Sequence, residues 1–137
     1  MDLRDDWTGP LAGAGFDPGV PTGWLAEGLL PYLTGAESDR FRAALTALST
    51  PGSRLVFDHL DPRAADRPAI RETSAAIRHS AGAELSTMDD PAGWLAEDGW
   101  RAETHRIPDL GPRYCRPLPA DGDVVAANVM VLTTAAR

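Results

Sequence analysis

Short apolar runs alternate along this chain with segments that carry apolar residues at the helical period. The runs predict four strands, at residues 24–26, 53–60, 100–106 and 124–134. Helices are predicted to begin at Thr34, Asp66 and Asp90. The first of these starts is marked by Thr34 and Glu37, which match a capping box.

This order of elements indicates the fold class. Strands that alternate with helices imply a parallel sheet with helices on its faces. No long helix is predicted between the last two strands. Because parallel neighbours need a long crossover connection, these two strands are expected to form an antiparallel pair. We expect residues 1–137 to form a single three-layer α/β domain whose sheet is mostly parallel and ends in an antiparallel C-terminal edge pair.

Composition and charge exclude several classes of partner. The chain has 13 Lys and Arg against 20 Asp and Glu, a formal net charge of −7. This balance argues against a nucleic-acid partner and against an anionic membrane surface. No apolar run is long enough to span a bilayer, and the residues after Met1 do not form a signal peptide. With one cysteine, Cys115, no internal disulfide can form, and we expect a cytoplasmic protein.

The histidines offer little evidence for a metal site. Asp58, His59 and Asp61 are metal-ligand types, but His79 and His105 lie in other predicted elements. The chain has no His-Glu-x-x-His motif and no cysteine pair, so no metal site is predicted. A hydrolase that uses His59 and Asp58 stays open as a weaker alternative.

Three segments carry a family resemblance. Residues 2–7 read Asp-Leu-Arg-Asp-Asp-Trp, residues 14–18 read Ala-Gly-Phe-Asp-Pro, and residues 21–33 read Pro-Thr-Gly-Trp-Leu-Ala-Glu-Gly-Leu-Leu-Pro-Tyr-Leu. In this order and spacing they resemble the S-adenosylmethionine (SAM)-dependent methyltransferases of the leucine carboxyl methyltransferase-like family, over the C-terminal half of that fold. The resemblance implies a partial Rossmann-like class I methyltransferase sheet, SAM as cofactor, and methyl transfer to an oxygen of a small-molecule, carboxylate-type acceptor.

The resemblance also implies roles for individual residues. Asp2 and Leu3 match the pair that flanks the adenine of SAM, and Glu27 matches the glutamate that closes the fourth strand and faces the cofactor. Tyr32 is expected to line the substrate pocket. His59 is expected to contact substrate, because it ends the second apolar strand near the edge where ligands bind in α/β folds.

The family's glycine-rich cofactor loop has no counterpart in the sequence. We therefore expect a truncated product that lacks the N-terminal half. A second hypothesis is a non-catalytic remnant or interaction module, which would pair with a partner or with itself through the exposed edge of the strand at residues 24–26.

Overall fold

The computed structural model describes residues 3, 5–81, 85–115 and 130–137. Within these residues, the strands are β1 (Gly23–Ala26), β2 (Arg54–Leu60), β3 (Arg101–Arg106) and β4 (Met130–Ala136). The helices are α1 (Thr8–Gly13), α2 (Gly35–Ala47), α3 (Pro68–Ala81), α4 (Pro91–Ala96) and α5 (Ile107–Arg113). Two short 3₁₀ helices span Leu30–Tyr32 and Pro62–Ala64.

The four described strands form one mixed sheet in the order β1-β2-β4-β3. β1 is parallel to β2, with Ala26 opposite Phe57. β4 is antiparallel to both β2 and β3. The α/β class and the antiparallel pairing of the last two strands are therefore confirmed. β4 lies inside the described sheet, between β2 and β3. β3, and not the C-terminal strand, is therefore the edge strand on that side.

Some sequence predictions extend beyond the described residues. The last strand was expected to start at residue 124, but residues 124–129 lie outside the described part of the chain, and β4 is described from Met130 onwards. The assignment of residues 1–137 to a single domain stays a prediction.

The start of α2 follows directly from its sequence. The side chain of Thr34 accepts a hydrogen bond from the backbone N–H of Glu37, and the carboxylate of Glu37 accepts one from the backbone N–H of Thr34. This reciprocal capping box satisfies two amide groups that the helix itself leaves without partners. The predicted start of α2 is confirmed.

The main core lies between one face of the sheet and the helices that cover it. Leu55 and Phe57 of β2 point into it, as expected for alternate residues of a strand. Its remaining buried members come from several elements: Trp7, Ala26, Leu30, Leu45, Leu95, Trp100 and Ala135. A smaller cluster on the other face joins Leu60 and Ala64 to residues of α3 and β4.

Tryptophan side chains attach α2 to this core. Three indole N–H groups donate hydrogen bonds to residues of α2 or just after it: Trp24 to Ser49 (2.9 Å), Trp94 to Asp39 (2.7 Å) and Trp100 to Thr46 (2.9 Å). The bonds from Trp24 and Trp100 are partly buried, so they remove the cost of burying an unpaired N–H, whereas the bond from Trp94 is exposed. α2 is thereby held against β1 and against the α4–β3 segment.

The described helices are short. The longest, α3, has 14 residues. None of the helices in the described residues is long and apolar enough to cross a bilayer.

Candidate functional site

The parallel pairing of β1 and β2 brings their carboxyl ends to one edge of the sheet. Glu27 and Gly28 follow the last residue of β1, and Asp58 to Leu60 complete β2. In open α/β sheets this edge is where ligands bind. We therefore take this edge as the candidate functional site.

A hydrogen bond joins the two strand ends. The backbone N–H of Gly28 donates to Oδ1 of Asp58 at 2.7 Å. Gly28 has φ of +62°, a left-handed conformation that favours glycine over other residues. The carboxylate of Asp58 thus stabilises the turn that directly follows Glu27.

The side chain of Glu27 is exposed and forms no hydrogen bond or ion pair with any described residue. A carboxylate at this position can accept hydrogen bonds from the hydroxyl or amino groups of a ligand. The predicted cofactor-facing residue thus lies at the ligand-binding edge, but its role stays a prediction.

His59 is buried at the same edge, with 4% of its surface exposed. Its Nε2 lies 3.3 Å from Oγ1 of Thr133, which in turn lies 3.3 Å from Oγ1 of Thr104. Burial lowers the pKa of His59, since it penalises the charged imidazolium, and the nearby carboxylates of Asp58 and Asp61 oppose this shift only partly. Burial thus favours the neutral form of the His59 imidazole.

Two adjoining cavities lie beside His59. The near cavity, next to the 3₁₀ helix that follows Glu27, has a volume of about 250 Å³. The far cavity, towards β3, has a volume of about 400 Å³. His59, Met88 and Asp89 line both, and we call the two cavities together the groove. The near cavity is further lined by Leu30, Trp94 and Asp39, and the far cavity by Asp61, Arg63, Thr104 and Arg106.

Residues 85–89 form one wall of the groove because they run alongside β2. Thr87 pairs with Leu60 in an isolated parallel bridge, and the N–H of Met88 donates to the carbonyl of Leu60. Asp90 then caps α4 by accepting a hydrogen bond from the N–H of Gly93 at 2.8 Å.

Two other predicted site residues, Leu3 and Tyr32, do not line this groove. Leu3 lines a hollow of about 130 Å³ together with Leu33 and Arg40, and Asp2 lies outside the described residues. Tyr32 is 52% exposed and lines neither cavity of the groove. Among the predicted substrate contacts, His59 alone belongs to the groove.

Sequence reasoning missed Met88, Asp89 and Arg106 as groove residues, because nothing local shows that their segments approach β2. Within the described residues, no group of three or more His, Cys, Asp or Glu side chains is arranged to hold a metal ion.

The fold places the protein among α/β proteins with an open, partly parallel sheet. The chain superimposes over its full length on a structure from Thermobifida fusca described as a "putative methyltransferase" (TM-score 0.74, 18% identity, 52% of that chain). It also superimposes over its full length on an O-methyltransferase family protein from Burkholderia thailandensis (TM-score 0.61, 13% identity, 34% of that chain). At these identities the likeness establishes the fold.

Sequence comparison shows which proteins have a similar sequence. The sequence model described as "Leucine carboxyl methyltransferase" matches residues 1–46. A relative from Mycobacterium sp. (strain KMS), named "Putative S-adenosyl-L-methionine-dependent methyltransferase", is 38% identical over 100% of this chain and 49% of its own length. A relative of the same description from Streptomyces avermitilis is 40% identical over 86% of this chain and 41% of its own length. The predicted resemblance to this methyltransferase family is confirmed, and the chain spans about half the length of the curated relatives it matches.

The hydrogen bond between Asp58 and Gly28 leads to a test of the site's geometry. Asp58→Ala removes the acceptor, and we expect faster exchange of the Gly28 amide hydrogen and a loss of about 1 kcal/mol in the free energy of unfolding. Asp58→Asn keeps an oxygen at this position and should preserve slow exchange. The measurement is amide hydrogen exchange by NMR. Equal exchange of Gly28 in wild type and Asp58→Ala would show that Asp58 does not hold the turn.

Proposed function

We propose that this chain forms part of an enzyme that transfers a methyl group from SAM to an oxygen of a small, carboxylate-type acceptor. The observation that carries the proposal is the position of Glu27. It stands unpaired among the described residues at the carboxyl edge of β1, in a chain that aligns along its length with SAM-dependent methyltransferases.

The residues at this edge suit the adenosine part of SAM. The carboxylate of Glu27 would accept hydrogen bonds from a ribose hydroxyl or the adenine amino group, and the bond from Gly28 to Asp58 would fix the backbone that carries it. Leu3 and Asp2, which the family resemblance assigns to the adenine, complete the proposed cofactor contacts.

The groove would hold the acceptor. When bound, SAM supplies an electrophilic methyl group on a sulfonium centre. Leu30, Met88 and Trp94 would exclude water from the near cavity and align the acceptor oxygen for in-line attack. A carboxylate acceptor is already ionised near neutral pH, so no strong base is required. His59, buried in the shared wall, would orient the acceptor, and burial makes its imidazole a weaker base because it lowers the pKa.

The carboxylate class of acceptor is supported by the description of the family whose sequence model matches residues 1–46. A cytoplasmic location is also part of the proposal, since the thiol of Cys115 is free and exposed, which suits a reducing compartment.

SAM binding to the purified 137-residue chain tests the cofactor role of Glu27. We expect saturable binding by isothermal calorimetry and about tenfold weaker binding by Glu27→Gln, because hydrogen bonds to a charged acceptor are stronger than those to a neutral amide. Glu72→Gln, which makes the same change at an exposed position of α3, is the matched control and should bind as wild type does.

Circular dichroism of each variant verifies that the fold is retained. Equal affinity of Glu27→Gln and wild type would remove Glu27 from the site. A folded wild-type chain that binds no SAM would contradict cofactor binding by this chain.

The edge of β1 favours a second candidate function, an interaction module. β1 pairs with β2 on one side and with no described strand on the other, and Leu25 is 71% exposed. Val20, just before the strand, is 53% exposed. An exposed apolar edge strand is a surface on which another chain can add a strand.

Self-association distinguishes this second candidate. If β1 is the pairing surface, sedimentation velocity of wild type should show a concentration-dependent dimer, and Leu25→Lys should stay monomeric because a charge on an edge strand opposes pairing. Tyr114→Lys, at another exposed apolar side chain, should still dimerise. A wild-type chain that is monomeric at all concentrations would argue against an edge-pairing role.

A further inference from the structure

A buried hydroxyl in the near cavity is left without a partner. Ser38 of α2 lines this cavity with only 5% of its surface exposed, and its hydroxyl forms no hydrogen bond with any described residue. Ser49 shows the usual alternative, because its hydroxyl donates to the carbonyl of Leu45, four residues earlier, at 2.7 Å. The hydroxyl of Ser38 is not sealed off by protein atoms, so it reaches the space that Ser38 lines. A polar group of a ligand would give it the missing partner.

Two carboxylates line the same cavity. Asp39 lies beside Ser38 on α2, and Asp89 belongs to the wall that the two cavities share. Oδ1 of Asp39 accepts the hydrogen bond from Nε1 of Trp94 at 2.7 Å, and its Oδ2 bonds to no described residue. The carboxylate of Asp89 forms no hydrogen bond or ion pair with any described residue. Both side chains therefore have oxygen atoms available to a ligand.

No cation in the lining of the near cavity balances these charges. The chain has no lysine, and no described arginine lines this cavity. Arg42 lies over the ring of Trp94, 5.1 Å from its centroid, but it is paired with Glu97 at 2.8 Å and with Asp98 at 3.0 Å. The potential in the near cavity is therefore negative, which favours a positively charged ligand.

The far cavity supplies no net positive charge to offset Asp89. Apart from Asp89, it is lined by two carboxylates, Asp61 and Asp90, and by two guanidiniums, Arg63 and Arg106. Nη2 of Arg63 donates to Oδ2 of Asp61 at 2.6 Å, so this guanidinium is already engaged. The groove as a whole therefore carries more negative than positive charge.

These groups suit a primary ammonium. An ammonium has one positive charge and three N–H donors, and it has no acceptor. The carboxylates of Asp39 and Asp89 and the hydroxyl oxygen of Ser38 offer it acceptors of the required kind. Leu30 and Met88 provide apolar walls for the carbon atoms of the same molecule.

We infer that the methyl acceptor carries a protonated amino group, which the near cavity binds through Asp39, Asp89 and the hydroxyl of Ser38. The inference rests on the proposed function and narrows its carboxylate-type acceptor to amino acids and other acids that bear an amine.

Three related compounds test this inference in the absence of SAM. Norleucine carries an ammonium and a carboxylate, pentylamine only the ammonium, and hexanoate only the carboxylate, on the same butyl chain. In NMR titrations of the isotope-labelled chain, we expect pentylamine and norleucine to shift the amide signals of Ser38, Asp39 and Asp89. Hexanoate should bind about tenfold more weakly than pentylamine, because it meets like charges.

Two variants test the individual contacts. Asp89→Asn should weaken pentylamine about fivefold and should not weaken hexanoate, because it removes one opposite charge. Ser38→Ala should weaken pentylamine by a similar factor of about five through the loss of one acceptor. Asp109→Asn is the matched control, since Asp109 is an exposed aspartate of α5 that lines neither cavity and its replacement changes the net charge equally. It should bind pentylamine as wild type does.

Three results would overturn the inference. They are hexanoate binding at least as tightly as pentylamine, an equal loss of pentylamine affinity in Asp89→Asn and Asp109→Asn, and no pentylamine binding by a chain whose amide spectrum is that of a folded protein. Because SAM is absent, these results are independent of the calorimetry that tests cofactor binding, so failure of the amine site and failure of the proposed function can be told apart.

Discussion

The parallel alignment of β1 and β2 is the constraint on which the rest of the structure depends. It requires a connection that returns the chain to the same end of the sheet, and α2 makes that connection. The capping box at Thr34 starts α2, and indole N–H groups of Trp24, Trp94 and Trp100 hold its side and C-terminal end. α2 thus connects two strands whose carboxyl ends lie at the same edge of the sheet.

The candidate site is formed where the carboxyl ends of β1 and β2 lie side by side. Glu27 follows β1 and Asp58 lies in β2. The hydrogen bond from the backbone N–H of Gly28 to Asp58 connects the ends of these two strands. His59 then forms the inner wall of the groove because β4 lies antiparallel to β2 and sets Thr133 against its ring. An exposed carboxylate and a partly apolar groove are thereby placed near each other, an arrangement that suits the proposed methyl transfer.

Features that depend on neighbouring residues were predictable from the sequence. The capping box fixed the start of α2, and the apolar run before Glu27 located a strand end. Features that depend on distant segments were not: β4 inserts between β2 and β3, residues 85–89 return to β2, and Arg106 approaches Asp61. These arrangements arise from sheet pairing between segments far apart in the chain, which local patterns do not encode.

The central claim is that the carboxyl ends of β1 and β2 bind the cofactor. The most direct test is an NMR titration of the isotope-labelled chain with S-adenosylhomocysteine, the demethylated form of SAM. The account predicts that the largest shifts fall on Glu27, Gly28 and Asp58, while Gly23 and Arg54 at the opposite ends of the same strands stay unchanged. Shifts confined to those opposite ends or to α3, or none at all in a folded chain, would contradict it.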